Sequence, residues 1–333
     1  MNMKDKPKLV RICAAAGFLF CLLTSCVNAA GQPPRIKVLI VDGYSNHDWQ
    51  RTTRLARGIL EPTGLFDVSV STAPASTNDP AYATWSPTFR DFDVVIQTCN
   101  DLGGRGPLWP APAREAFEKF VHDGGGVFVL HSGNNAFASW EAYNQIIGLG
   151  WRKKEYGYAL RIGTNEMVER IPPGEGANTS HGARTDRVIH RLGEHPIHAG
   201  LPKTWKTPLI EVYTHARGPA ENVTVLSWAE DPKTQVRWPI EWTVQYGEGR
   251  VYNSTFGHIW RDEFDPVDMR CAGFQTVFVR ALQWLAKRPV TFPVPADFPT
   301  EAATRLRPLN EAATPAEKTN APAIPLPHNP AGI

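Results

Sequence analysis

Two histidines at the ends of predicted strands are the side chains best placed for chemistry in this chain of 333 residues. His131 follows the apolar run 127–130, in a turn that would present its side chain to a crevice. An imidazole there can act as a general acid or base, or ligate a metal; alternatively, it holds the turn by bonding to the backbone. His258 follows Gly257, whose missing side chain would let a ligand approach closely, although a structural role is equally open.

Glu211 and His215 form a second candidate pair. On a strand, residues 211, 213 and 215 share one face, so the two side chains could be an acid/base pair or a histidine oriented by a glutamate. A surface ion pair is the alternative. We predict His131, Glu211 and His258 as the catalytic acid/base set. A divalent metal held by the two histidines is compatible with this set, but nothing in the spacing requires one.

Polar residues after other predicted strands could bind a substrate. His47 and Asp48 could bind hydroxyls or a metal, while Asp48 could instead cap the next helix. Asn100 and Asp101 also follow a strand end, where such residues favour turns as well. Ser132 is a weaker candidate for a nucleophile, because position 130 is leucine where an elbow motif has glycine. The predicted substrate-binding residues are Tyr44, His47, Asp48, Asn100, Asp101, Ser132, Trp140 and His215.

Several tryptophans fall in or near the same predicted loops. Their flat faces suit the apolar faces of sugar rings, although tryptophan is also a common core residue. They are Trp49, Trp109, Trp140, Trp151 and Trp260.

The elements that must position these residues alternate between strands and helices. Apolar, β-branched runs predict strands at 36–41, 66–70, 93–99 and 127–130, separated by two amphipathic helical patterns. This alternation is typical of βαβ units with a parallel sheet. In such sheets ligands bind beyond the carboxyl ends of the strands, so the polar clusters at 42–48, 100–105 and 131–135 should converge on one crevice.

The second half of the chain is richer in predicted strands. Residues 239–246 and 250–256 flank a glycine-rich turn and predict a hairpin, and the apolar pattern of 268–287 predicts a last helix. From Pro289 onward the chain is rich in proline and alanine. We expect this tail, residues 289–333, to be extended or disordered and held to the body near Phe292 and Phe298.

The N-terminus has the pattern of a targeting segment. A basic start is followed by an apolar run of 12 residues at 12–23, which is too short to span a bilayer comfortably. The next residues, 23–26, resemble a bacterial lipobox ending at Cys26, which would be lipidated; ordinary secretion with cleavage near Ala29 is the alternative. We predict a signal peptide at 1–25, a linker at 26–34, and an exported, periplasmic protein anchored to the membrane through its N-terminal lipid.

Charge and cysteine content exclude two classes of function. Without residues 1–25 the net charge falls from +2 to −1, because four of the positive charges and one negative charge leave with them. No basic surplus remains to hold a nucleic acid. Beyond Cys26 only Cys99 and Cys271 remain, too few for a disulfide framework or a zinc ribbon. The histidines at 181–198 also lack the spacing of a zinc motif.

A series of ordered motifs runs along residues 35–288. The first is the strand and loop at 38–43 with residues 47–48, followed by 124–132, 195–197 and 200–202. The last are 210–213, 239–242, 246–251 and 257–258. Together these motifs resemble the trehalose-utilisation (ThuA-like) family. The oligomeric state is not indicated by any of these motifs.

The resemblance implies a fold, a substrate class and the absence of one activity. The expected fold is α/β, a flavodoxin-like, class I glutamine amidotransferase-like three-layer sandwich with a mostly parallel central sheet and an added β-rich second half. Those amidotransferases have a cysteine at the turn that here carries His131 and Ser132, so glutamine hydrolysis is not expected. The family instead implies acid/base hydrolysis or isomerisation of a disaccharide or 3-keto-glycoside. The alternatives are a non-catalytic sugar-binding lipoprotein and, more weakly, a hydrolase that uses Ser132.

Overall fold

A computed structural model of the chain describes residues 34–311. The predicted signal peptide, the lipidation site Cys26 and residues 312–333 lie outside this range. Between residues 34 and 311, none of the helices combines the length and the apolar character that crossing a bilayer requires.

Fourteen strands and five α-helices make up the described body. The strands are β1 Ile36–Asp42, β2 Phe66–Thr72, β3 Val94–Gln97, β4 Gly126–Leu130, β5 Tyr158–Ile162, β6 Val168–Ile171, β7 Ser180–His181, β8 Thr185–Arg191, β9 Thr204–Ile210, β10 Tyr213–Thr214, β11 Arg217–Gly218, β12 Val223–Glu230, β13 Arg237–Tyr246 and β14 Gly249–Ser254. The helices are α1 Trp49–Leu60, α2 Ala111–His122, α3 Glu141–Ile147, α4 Val267–Arg270 and α5 Ala272–Leu285.

The central sheet joins a parallel half to an antiparallel half. Its parallel strands run in the order β2-β1-β3-β4-β14, which is the flavodoxin-like order. From β14 the sheet continues through antiparallel neighbours β13, β12, β8 and β9. The predicted α/β fold with an added β-rich second half is therefore confirmed.

Helices cover both faces of the central parallel strands, which explains why β4 and residues 38–41 of β1 are continuously apolar. Side chains alternate along β1, so Val38 and Ile40 pack towards α1 and α5, whereas Leu39 and Val41 pack on the side of α2 and α3. The result is three layers with two hydrophobic cores. All the parallel strands end at one edge, where the polar loops after β1, β3, β4 and β14 meet.

The predicted helix at 268–287 is two helices. Cys271 interrupts it, because its backbone is extended and forms a bridge with Leu306 of the following tail. The tail follows the body as far as residue 311 without regular structure. Phe292 and Phe298 pack against the core beside α5, and the carboxylate of Glu311 binds Arg51 and Arg54 of α1.

A buried arginine holds together the segment 157–177, which contains β5, β6 and the turns on either side of them. Arg217 is fully buried, and its guanidinium donates hydrogen bonds to the carbonyl oxygens of Ala177, Gly157, Pro172 and Glu175. One side chain therefore connects several turns of the segment that continues into β7.

Candidate functional site

Three imidazoles meet at the carboxyl edge of the parallel strands. His131 follows β4 directly, His47 lies in the loop after β1, and His258 lies four residues beyond β14. Their ring centroids are 4.9–5.0 Å apart, and one ring nitrogen of each lies within 4.8 Å of the other two. All three side chains are buried.

Hydrogen bonds fix which nitrogen of each ring carries the proton. His131 Nδ1 lies 2.7 Å from the carbonyl oxygen of Thr255, and His258 Nδ1 lies 3.3 Å from Glu263 Oε2. His47 Nδ1 lies 2.9 Å from Asn46 Oδ1, whose amide is itself oriented by a bond from Asn100. Since each partner is an acceptor, each Nδ1 must donate, and in the neutral ring the Nε2 atom is then the unprotonated nitrogen that accepts.

A carboxylate faces this cluster. Glu211 lies in the turn between β9 and β10, and its Oε2 is 3.6 Å from His131 Nε2. Its Oε1 is 3.4 Å from His258 Nε2 and 3.5 Å from His181 Nε2. The hydroxyl of Tyr213 is 3.4 Å from His131 Nε2. The strand ends therefore bring together the predicted set of His131, Glu211 and His258.

The surroundings keep two of the imidazoles neutral. Burial lowers the pKa of His131 well below its usual value, and the nearby His47 and His258 lower it further. Burial likewise lowers the pKa of His47, with His258 and Arg184 adding to the shift. Burial opposes ionisation of Glu263, but hydrogen bonds with His258 and Arg184 lower its pKa to about 2. At neutral pH, Glu263 is therefore a carboxylate that orients His258.

The backbone at the two strand ends is constrained. His131 has φ 39°, a left-handed conformation that is uncommon for histidine and aims its ring at the site. Gly257 has φ 92°, and a Cβ there would lie 2.6 Å from a methyl carbon of Leu130. Asp268 of α4 accepts hydrogen bonds from the amides of Gly257 and His258, which fixes the approach to the histidine.

Asp268 should give the stability of the protein a specific pH dependence. Burial is the main cause that raises its pKa to about 7, and the nearby Glu263 raises the pKa further. The two backbone amides and Arg184 lower the pKa but do not outweigh burial. Between about pH 4 and 7 the folded chain holds a proton here that the unfolded chain releases. The free energy of unfolding therefore falls as pH rises through this range, by at most about 1.4 kcal/mol per pH unit.

Asp268→Asn should remove this contribution. Urea unfolding at several pH values should show wild type losing stability relative to the variant between pH 4 and 7. Asp67→Asn, at an exposed carboxylate, is the matched control and should leave the pH dependence of the free energy of unfolding as it is in wild type. Parallel curves for wild type and Asp268→Asn would show that Asp268 ionises normally.

A cavity of about 940 Å³ opens over the cluster. His47, His258 and Glu211 lie in its wall, together with Asn100, and a further side is formed by the segment 151–156. Trp260 also lines it, is 43% exposed, and lies nearly parallel to His258 at a ring distance of 5.9 Å. Trp151 contacts His181 and Tyr213. The cavity thus combines polar groups with flat aromatic surfaces, as a sugar site requires.

Two residues predicted to line the pocket belong to the core instead. Tyr44 is buried and donates its hydroxyl hydrogen to the carbonyl of Pro107. Trp140 packs among Trp109, Phe117 and Phe137, and its indole N–H bonds to Glu118. These contacts correct their predicted roles, because neither side chain lines the cavity.

Three polar candidates have structural roles. Asp48 accepts from the amide of Arg51 and caps α1, and Asp101 accepts from the amide of Phe137. The hydroxyl of Ser132 bonds to the carbonyl of Thr98, with a further contact to Ser45. The described contacts of Ser132 include no histidine, so they do not support its predicted use as a nucleophile.

His215 does not share a face with Glu211. The regular strand ends at Ile210, and His215 has φ 54° in a turn after β10. Its ring lies 4.4 Å from that of Trp238 instead. The prediction assumed an unbroken strand through 215, and the break turns the imidazole away.

The site also contains residues that sequence reasoning did not select. His181 was one of four histidines in the segment 181–198, and the fold separates them. His190 stacks on Trp228, while His195 contacts Trp284. His198 pairs with the buried Glu241. Glu263 lies five residues after His258, and no local pattern marks either it or His181 as part of the site.

Fold and site together define a three-layer α/β protein with a flavodoxin-like parallel sheet and a buried cluster of histidines, faced by a glutamate, at the carboxyl ends of its strands. The family model described as ThuA, trehalose utilisation, matches residues 37–285. A solved ThuA-like protein from Parabacteroides merdae is 31% identical with a TM-score of 0.76, covering 82% of this chain and 98% of its own. A second, from Bacteroides uniformis, is 17% identical with a TM-score of 0.50, covering 76% and 92%, and shows the fold alone.

The chain belongs to the ThuA trehalose-utilisation family. Family membership supports a role in sugar metabolism. No curated protein matches the chain significantly.

Proposed function

We propose that this protein is a carbohydrate-active enzyme that isomerises a keto-disaccharide or 3-keto-glycoside by moving a proton between neighbouring carbons. The observation that carries the proposal is the position of Glu211 in the wall of a cavity with aromatic surfaces. Its buried carboxylate lies within 3.6 Å of the imidazoles of His131, His181 and His258. A buried carboxylate in the wall of a ligand cavity is placed to act as the base in proton abstraction beside a carbonyl.

The sugar would lie with an apolar face on Trp260 and its hydroxyls towards Asn100 and His47. Glu211 removes the proton from the carbon next to the carbonyl, which forms an enediol, and returns it to the former carbonyl carbon. The hydroxyl hydrogen moves to the other oxygen, so the product is an isomer of the substrate. The side-chain amide of Asn100, in the cavity wall, can donate a hydrogen bond to the sugar oxygen on which negative charge develops.

Direct glycoside hydrolysis is less well supported by the geometry. That reaction uses two facing carboxyl groups at defined separations. The described residues that line the cavity include two acids, Glu211 and Glu155, and the side chain of Glu155 is 64% exposed.

The test is hydrogen exchange in heavy water. The purified protein is incubated with 3-keto-trehalose, 3-keto-sucrose and a methyl 3-keto-glucoside, with the unoxidised sugars as controls. We expect deuterium to enter the carbon next to the carbonyl, and an isomer to accumulate, for at least one keto-sugar. Tight binding without exchange or product across the panel would indicate a sugar-binding protein, and hydrolysis products would indicate a glycosidase.

We also propose that the protein is exported and anchored through Cys26, on the pattern of residues 1–26. Palmitate labelling in a bacterial host should be lost on Cys26→Ala. Labelling that persists, or is absent from wild type, would contradict the anchor.

A further inference from the structure

The most unusual feature of the cluster is that three buried imidazole rings converge, with ring centroids 4.9–5.0 Å apart. Each ring is fixed with its Nδ1 hydrogen directed at an oxygen: a carbonyl for His131, a carboxylate for His258 and an amide oxygen for His47. The three candidate ligand atoms lie within 4.8 Å of one another. Lone pairs gathered in this way repel one another unless a proton or a cation lies among them.

We propose that the Nε2 atoms of His47, His131 and His258 bind a divalent first-row transition-metal ion. Neutral imidazoles are the ligands such ions prefer, and three protein ligands with further positions open are typical of catalytic sites. Oxygen acceptors behind metal-binding histidines hold the ring orientation and make Nε2 a stronger donor. All three supporting acceptors are present here.

The open positions of the ion would face the cavity. His47 and His258 are both in the cavity wall, so a ligand that enters the cavity reaches the side of the cluster facing it. Glu211 is not part of the group of three mutually close atoms, but it contacts two of them at 3.4–3.6 Å. It would therefore stand next to the ion and remain available as a base.

The inference deepens the proposed function, because the carbonyl and neighbouring hydroxyl of a keto-sugar form a pair of oxygens that such an ion can bind together. The ion would polarise the carbonyl and stabilise the negative charge of the enediolate. The chemical class of ligand is thus an α-hydroxyketone, and the site would select for it over a sugar without a carbonyl.

Metal binding is measured first, without any sugar. Elemental analysis of protein purified without chelators should find about one transition-metal ion per chain. Protein stripped by a chelator and titrated with Co²⁺ should develop visible absorption bands typical of nitrogen coordination, and Zn²⁺ should displace the Co²⁺. A stripped protein that takes up neither ion, or takes them up without these bands, overturns the inference.

Variants assign the ligands. His47→Ala should weaken Zn²⁺ binding by about 100-fold or more, and Glu263→Gln, which acts through His258, by about 10–100-fold. His131→Asn tests the third ligand with a residue that tolerates its positive φ. His122→Ala, at an exposed histidine on α2, is the matched control and should bind Zn²⁺ like wild type. Equal binding by wild type and all three site variants, each folded by circular dichroism, would place the metal elsewhere.

The metal inference and the proposed function can fail separately. If the three histidines bind a metal but no keto-sugar exchanges hydrogen, the metal site is supported and the proposed reaction is wrong. Exchange that continues at full rate in the stripped protein would support the reaction and show that the metal has no part in it.

Discussion

Replacing Glu211 with glutamine should reduce turnover of a keto-sugar by about 10²–10⁴-fold, the usual contribution of a positioned general base. Glutamine has nearly the same shape, so the cavity is kept, but its amide cannot take up the proton from the sugar. Binding should change much less than kcat. Deuterium exchange and isothermal titration with the same keto-sugar would measure the two effects separately.

Glu194→Gln is the matched control for this substitution. The side chain of Glu194 is 88% exposed in a loop and pairs with Arg191, so its loss should leave both exchange and binding unchanged. A Glu211→Gln protein that exchanges at more than half the wild-type rate would show that another group takes the proton. A protein that loses binding and exchange together would show that Glu211 holds the sugar instead.

Arg217→Met should lower the free energy of unfolding by about 3–5 kcal/mol. Methionine fills much of the volume, but it leaves four carbonyl oxygens in the segment 157–177 without their donor. Each buried acceptor that loses its partner costs about 1–3 kcal/mol, part of which water or relaxation of the segment can recover. Urea unfolding would measure the change.

The control for Arg217 is Arg161→Met. Arg161 pairs with Glu169 on the surface of β5 and β6, and both side chains are more than 40% exposed. Surface pairs contribute little, so we expect a change within about 0.5 kcal/mol. Limited proteolysis adds a local measurement, since Arg217→Met should expose residues 172–177 to cleavage before the rest. A loss below 1 kcal/mol with no new cleavage site would show that the segment is held by other contacts.

The fold could be predicted from the sequence because its signals are local. Runs such as 38–41 and 127–130 are continuously apolar, and only strands covered on both faces need this pattern. The rule that parallel strands present ligands at their carboxyl ends places the loops that carry His47, Asn100 and His131 at one edge. That inference needs no side-chain coordinates.

The remainder of the site depends on contacts between distant parts of the chain. Nothing near Tyr44 or Trp140 indicates that Pro107 and Glu118 supply their hydrogen-bond partners, so both residues resemble pocket residues in sequence. His215 is misplaced by the sequence pattern because β9 ends at Ile210 and β10 covers only residues 213–214, while no glycine or proline between 210 and 215 marks this break. The role of His181 depends on the antiparallel pairing of β7 with β10, which brings it to Glu211.

The tail after α5 is packed against the body well beyond the residues that the family model matches. The family match ends at residue 285, yet the backbone continues to pair with the body at Lys206, Ala272 and Arg270 through residues 300–307. The ring of Phe298 packs in an edge contact with Trp205, and the side-chain amide of Gln283 forms hydrogen bonds with Thr291 and Phe292. The packed body therefore extends beyond the residues that the family model matches, and a chain cut after residue 285 would lose the contacts that cover Trp205, Gln283 and Arg270.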